Sequence, residues 1–351
     1  MSKTQEIQKY RDNPAVSQSF LKQVLANSKK DFKPSVATML GSLVDTILTC
    51  PESLDELYHI TRGETYPKPQ VKECWDKYYQ WCIENEQALE IDNGVLLEIY
   101  RTITSMKSGD EKLLANLMEA ETYWNELVEA SGKVVISGEY WNKCQAVANT
   151  LLTNRETSQF FIEEAHREIH FQKELYWTYV DEEWEQECKG LLDMLIIDHK
   201  DKTLQIVDLK TTSDSLQTWK SNVARRHRLE FQQSFYQYGL TKWHETNYVD
   251  YEILNPILVV ANIDWPSKPK IFRLTNNDLW IGRYGLDKVK TMLVYDRDDT
   301  GYPTRVEWEE NKIQGWEEAI RIKKQAEQLG LDDWDVEYSV TKGWEELNLW
   351  L

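Results

Sequence analysis

The stretch KGLLDMLIIDHKDKTLQIVDLKTTSD, residues 189–214, holds two apolar runs separated by a polar turn, HKDK at 199–202. Each run has the length and composition of a strand, and the turn has the chemistry of a hairpin. Three charged residues interrupt the runs: Asp193 in the first, Asp208 and Lys210 in the second. Residues two apart on a strand face the same side. Leu204, Ile206, Asp208 and Lys210 therefore share one face, and Gln205, Val207 and Leu209 share the other. The hairpin can lay Asp193 close to Asp208, and Glu174 on the preceding strand-like run can join them from the edge.

Converging carboxylates are costly unless a cation neutralises them. Oxygen ligands of this kind suit Mg²⁺ or Mn²⁺. A neighbouring lysine can position or deprotonate a water, or stabilise charge developing on a phosphate. This is a layout for metal-assisted phosphodiester hydrolysis. A lone D-x-K on an exposed strand edge is more simply an internal salt bridge. The carboxylate on the neighbouring run and a Gln/Tyr-bearing helix just behind favour a site.

The rest of the chain sets the frame. Its 351 residues suffice for one large domain or two ordinary ones, and 41% hydrophobic residues can bury a sizeable core. The 15 tryptophans show no repeat spacing and read as packing residues. A formal charge of −18 opposes nucleic-acid encounter at long range, although a basic cleft or a bound divalent cation can reverse the field locally. The five cysteines form no CxxC pair. With no signal peptide and no apolar run long enough to span a membrane, the expectation is a reduced, cytoplasmic protein without disulfides or zinc.

Along the chain, SQSFLKQVL (17–25) opens with a capping serine, and SVATMLGSLVDTILT (35–49) is an apolar helix ended by Pro51. Gly41 inside that helix costs ~1 kcal/mol against alanine, so a close packing contact is expected there. Residues 60–90 are polar, with an early turn at Pro67 and Pro69, and read as an exposed insertion. Residues 95–166 are mostly helical, with a turn at 130–133. Matches at an offset of 45 residues (Ile91 with Ile136, Glu111 with Glu156, Glu119-Ala120 with Glu164-Ala165) suggest a duplicated helical pair or, more simply, coincidence.

From 172 the pattern becomes a meander of three strands, then a helix at 229–243 and two strands near 256–274. Helices are expected at 276–295 and 310–329, followed by an acidic tail. The sum is an α/β fold with a mixed central sheet flanked by helices. It divides into a helical N-terminal part (1–171), a core (172–300) and a C-terminal helix with the tail (301–351).

Gly190 to Asp193 (GLLD), Asp208-Leu209-Lys210 and Gln232 to Tyr236 (QQSFY) together resemble the G-x-x-D, D-x-K and Q-x-x-x-Y pattern of the PD-(D/E)xK nuclease superfamily. More narrowly, they resemble its RecB-like branch and the phage exonucleases similar to exodeoxyribonuclease VIII (RecE). SQSFLKQVL and GSLVDTILTCPE resemble N-terminal segments of the same family, so the resemblance spans most of residues 10–295. It implies a restriction-endonuclease-like sheet and a Mg²⁺-dependent DNA exonuclease, with Mn²⁺ as an alternative metal. Asp193, Asp208 and the Leu209 carbonyl would hold metal, and Lys210 would serve the attacking water. Glu174 would support a second metal or its water. Gln232 and Tyr236 would orient Lys210 or contact DNA.

The family's histidine, four residues after the helix glycine, is here Asp45. A carboxylate there keeps coordination and favours hard cations, or it marks a weakened site. No cysteine follows Cys188, so an iron–sulfur cluster is excluded. The resemblance further implies a ring-like homo-oligomer on DNA and a single-strand annealing protein as partner.

The segment WKSNVARRHRLEF (219–231) is the densest basic stretch, with Lys220, Arg225, Arg226 and Arg228 as candidates to hold DNA phosphates. Trp219 and Phe231 fit either base stacking or core packing. Two rival functions remain: an endonuclease or single-strand nuclease on the same fold, and a catalytically weakened binding protein or DNA mimic.

Overall fold

The computed structural model of the chain describes residues 3–26, 35–63, 66–105, 107–182, 184–297 and 303–328. In chain order the first part runs α1 (Lys3–Asp12), α2 (Gln18–Ala26), α3 (Val36–Thr49), α4 (Leu54–Leu57) and β1 (Tyr58–Ile60). It continues through α5 (Pro69–Glu84), α6 (Asn93–Ile103), α7 (Asp110–Met118), α8 (Glu121–Ala130), β2 (Val134–Ile136) and α9 (Gly138–Thr153). Then come β3 (Arg167–Val180), β4 (Glu185–Asp198), β5 (Thr203–Thr212), α10 (Leu229–His244), β6 (Glu252–Asn262) and β7 (Lys270–Arg273). The last elements are α11 (Asn276–Tyr284), β8 (Gly285–Arg297), β9 (Pro303–Gln314) and α12 (Trp316–Gln328).

The chain forms two compact units, residues 1–12 with 42–149, and residues 13–41 with 150–351. The first is helical around a core of Trp75, Tyr78, Leu96, Tyr100, Leu113 and Trp124. The Trp124 ring lies 5.5 Å from Trp75 and 5.2 Å from Tyr78, so tryptophans here are packing residues as expected. The segment 60–90 corrects the expectation of an exposed insertion. Its helix α5 buries Val71, Cys74, Trp75, Tyr78 and Cys82, a stripe at helical spacing. Pro67 and Pro69 precede and begin this helix, and Pro69 suits a first helical position because its missing N–H has no partner there anyway. The turn at 130–133 is present, with Ser131 in a left-handed conformation at φ 51°. The matches at an offset of 45 fall on unlike elements: Glu111 starts α7, while Glu156 lies in the turn after α9. No duplication underlies them.

The second unit holds a five-stranded mixed sheet in the order β3-β4-β5-β6-β7. β3–β4, β4–β5 and β6–β7 are antiparallel, and β5–β6 is parallel with α10 as the connection. The expected α/β class and mixed sheet flanked by helices are therefore present. Pro256 inside β6 is tolerated beside a register shift between Gln205 and Val207. One sheet face packs on α2, α10 and α12 through Leu21, Leu195, Ile206, Phe231, Phe235 and Trp316, all essentially buried. Leu216, Trp219, Leu258, Val260 and Leu274 form a second cluster.

The helix expected at 276–295 is half right. It ends at Tyr284, where Gly285 takes φ 83° and leaves no room for a side chain, since a Cβ would stand 2.1 Å from the Ile313 carbonyl. The chain then runs as β8, paired antiparallel with β9 in a separate two-stranded sheet. The helix expected at 310–329 starts later, at Trp316. The acidic tail lies outside the described residues. No helix among the described residues is long and apolar enough to cross a membrane.

Candidate active site

The site is built where the β4–β5 ladder ends. Pairing runs from Asp198 opposite Thr203 to Met194 opposite Val207, then stops. Asp193 and Asp208 are the next residues along the two strands. Without a partner on the β4 side, the Leu209 N–H donates instead to Asp193 Oδ2, at 2.8 Å. The carboxylate thus replaces a backbone acceptor, which fixes its position against β5.

Strand β4 also breaks its own alternation here. Cys188 and Leu192, then Leu195 and Ile197, all join one core cluster, so the inward face slips by one residue between 192 and 195. Opposite this point Gln172 of β3 takes a left-handed φ of 49° and drops out of the pairing. Asp193 sits within the slip. Gly190, three residues earlier, lets Tyr236 approach: a Cβ would lie 3.1 Å from that ring.

Asp208 is buried on the central strand, with 2% of its side chain exposed. Lys210, one quarter exposed, forms an ion pair with Asp208 Oδ2, and its Nζ donates to the Leu209 carbonyl at 3.3 Å. The simple alternative, a salt bridge on an exposed strand edge, does not describe this pair, because β5 has a neighbour on both sides. Apart from the Lys210 ammonium, neither oxygen of buried Asp208 has a donor in this arrangement. Burial first, and the Asp208 charge second, push the Asp193 carboxyl up from 3.8 to about 7, against the opposing pull of Lys210 and the Leu209 N–H. Two carboxylates face one ammonium, so the cluster lacks positive charge. A hard divalent cation fits that deficit, and Asp193, Asp208 and the Leu209 carbonyl offer it oxygen donors.

Helix α10 closes the site from behind. Gln232 Nε2 donates to the Tyr236 hydroxyl at 3.4 Å, and that hydroxyl also meets Gln18 of α2. Burial, with Asp193 and Asp208 nearby, raises the Tyr236 pKa, so the phenol stays protonated and can donate. Two residues that no sequence pattern singles out stand close by. Lys22 of α2 donates to the His227 carbonyl at 2.7 Å and lies 5.8 Å from the Phe231 ring. Burial pulls its pKa down to about 8, with Glu230 opposing and Lys210 assisting. Thr211 of β5 explains Gly41: its Oγ1 would stand 3.2 Å from a Cβ there, the close contact expected. A lone lysine on an amphipathic helix carries no signal in a sequence.

The remaining candidates are more dispersed. Glu174 is exposed on the edge strand opposite Leu191 and accepts from the Tyr176 hydroxyl at 2.8 Å. Asp45 belongs to the first unit. Lys220, Arg225 and Arg226 are exposed around a π-helical turn at Lys220–Ala224. Arg228 is tied inward, paired with Glu230 and donating to the Gln314 carbonyl at 2.9 Å. Trp219 and Phe231 are core residues at 2% and 0% exposure, which decides between the two roles left open for them.

A mixed sheet of this topology, with Asp193, Asp208 and Lys210 gathered at the end of one hairpin, is the frame of a nuclease fold. The chain belongs to the PD-(D/E)XK nuclease superfamily, whose family model matches residues 94–320. Nucleases of this superfamily use divalent metals. Among solved structures, the chain is similar to a crystal structure named "Putative exonuclease" from Eubacterium rectale, at 11% identity, TM-score 0.39 and 80% coverage of each chain. It is also similar to the crystal structure of SSO0001, at 12% identity and TM-score 0.21, covering 75% of this chain and 80% of that one. Comparison with curated proteins finds no match.

Proposed function

We propose that this nuclease is a Mg²⁺-dependent exonuclease that degrades linear double-stranded DNA, in the 5′-to-3′ direction, within phage or prophage recombination in the cytoplasm of the host cell. The observation that carries the hydrolytic role is the buried Asp208 with both oxygens short of hydrogen-bond donors, beside Asp193 and Lys210. Asp193, Asp208 and the Leu209 carbonyl would hold the cation. When bound, it supplies charge to polarise a phosphate and to acidify water.

The chain's own groups do the rest. Lys210, as an ammonium, reaches out from the strand end to orient the attacking water and steady phosphate charge. Tyr236, kept protonated, and Gln232 hold the rear wall so that the Asp193–Lys210 geometry survives substrate exchange. Lys220, Arg225 and Arg226 would grip the phosphate backbone by charge alone, without reading sequence. The exonuclease branch similar to exodeoxyribonuclease VIII, a ring-like homo-oligomer and a single-strand annealing partner all belong to this proposal. They rest on the motif resemblance.

The test is degradation of an end-labelled linear duplex beside a closed circle, in Mg²⁺ and in EDTA. Loss of the linear DNA alone, abolished by EDTA and by Lys210→Ala, supports the exonuclease. Cutting of the circle would make it an endonuclease. No cleavage of either with Mg²⁺ or Mn²⁺ would sink the enzymatic role.

A further inference from the structure

Trp265 is the most exposed large apolar side chain among the described residues, at 78%. Single exposed apolar residues are common, but this one is held in an ordered position. Asn262, the last residue of β6, accepts the N–H of Asp264 at 2.9 Å and of Trp265 at 2.8 Å through Oδ1. Its Nδ2 donates to the Asp214 carbonyl at 2.9 Å, and Asn262 is itself buried, at 6%. Pro266 and Pro269 stiffen the rest of the turn, WPSKP at 265–269. Lys270 then ties back to the Leu216 carbonyl at 3.2 Å.

This turn stands at the catalytic end of the sheet. β5 and β6 are parallel, with Lys210 opposite Val260 and Thr212 opposite Asn262. Five residues of chain from Val260 reach at most about 17 Å. Trp265 is thus within the span of a few nucleotides of Lys210's strand partner. The loop it is tied to, through Asp214 and Leu216, leads directly into Lys220, Arg225 and Arg226. One rim therefore carries cations that suit phosphates and an exposed indole, on a backbone held by Asn262, that suits an apolar plane. Bases in an intact duplex are already stacked on one another. The partner that presents a free base face beside a phosphate is an unpaired nucleotide.

We propose that Trp265 stacks on an unpaired base of the DNA strand held at this site, so that frayed or single-stranded ends bind better than fully paired ends. The inference rests on the nuclease role proposed above.

The test uses full-length protein in Ca²⁺ with the Lys210→Ala substitution, so that binding is read without cleavage. Oligonucleotides with 2-aminopurine at an unpaired end nucleotide are compared with fully paired duplexes. Wild-type Trp265 is expected to quench the 2-aminopurine. Trp265→Ala should abolish the quench and weaken binding to the unpaired end roughly ten-fold, leave binding to the paired duplex unchanged, and be largely rescued by Trp265→Phe. Equal binding and quenching by Trp265→Ala would overturn the stacking role while leaving the nuclease role standing. Absence of any DNA binding with Trp265 intact would overturn both.

Discussion

Two clusters in this molecule bring carboxylates and cations together, and they are built differently. In the first unit His59 Nε2 meets Glu126 Oε2 at 2.6 Å, the Arg62 N–H donates to Glu126 Oε1 at 3.0 Å, and the Arg62 guanidinium reaches Glu129 at 3.3 Å. His59, Glu126 and Glu129 offer ligand atoms within 4.8 Å of one another, yet each acid already has a donor and Glu129 is half exposed. In the second unit Asp193 and Asp208 share one ammonium, and buried Asp208 has no donor beyond it. Counting carboxylates does not separate a metal site from an ion-pair network. Burial and the count of donors do, because solvent and partners can neutralise the first cluster and cannot neutralise the second.

The sharpest break of that comparison is catalytic. Lys210→Ala is expected to slow Mg²⁺-dependent cleavage by at least about 10²-fold, and Glu126→Gln to leave initial rates unchanged. Equal effects of the two would erase the distinction. Next comes the metal response. Because the folded Asp193 titrates near 7 rather than 3.8, the folded protein holds a proton across that window that the unfolded chain has lost. Metal-free stability therefore falls as pH rises from about 4 to about 7. The cation must displace that proton, so the rise in Tm caused by Mn²⁺ is expected to be large above pH 7 and to shrink as pH falls. Asp193→Asn should flatten both trends; thermal melts at several pH values check this, and a wild-type trend of opposite sign would refute it.

A smaller effect is expected on the basic rim. Arg225→Ala with Arg226→Ala should weaken duplex binding and lower the slope of log affinity against log salt by about 2. An unchanged slope would remove these residues from the phosphate contact. The smallest effect belongs to the first unit, where Glu126→Gln is expected to cost about 1 kcal/mol of stability. A Tm rise with Mn²⁺ that Glu126→Gln alone abolished would reverse the comparison and make His59, Glu126 and Glu129 the metal site.

Much of the second unit was legible because its strands carry apolar runs bounded by turn residues, and because α10 buries Leu229, Phe231, Phe235 and Leu240. Period-two faces put Asp208 and Lys210 together correctly. The same rule could not place Asp193, since β4 slips by one residue at that point. The buried face of α5 was written in Val71, Cys74, Trp75, Tyr78 and Cys82, but it was hidden by the polar residues between them and by two prolines taken as a turn. The end of α11 depended on Gly285, where a side chain would collide with the distant Ile313 carbonyl, a long-range contact that local pattern does not contain. Trp219 and Trp265 differ only by tertiary placement, since one stacks at 5.1 Å on Phe272 in the core and the other faces water.

The four-residue turn joining β4 to β5 has a kinetic consequence. Asp198 Oδ1 organises it by accepting the N–H groups of Lys200 and Asp201, both at 3.0 Å, so the hairpin is a local structure. Its closure brings Asp193 and Asp208 together long before the parallel partner β6, some forty residues further on, can be recruited. Electrostatic repulsion between the two acids is then met early on the folding route, at a stage when water still screens it. Protons or divalent ions that relieve this repulsion are expected to speed refolding, read by stopped-flow fluorescence, and not only to stabilise the product.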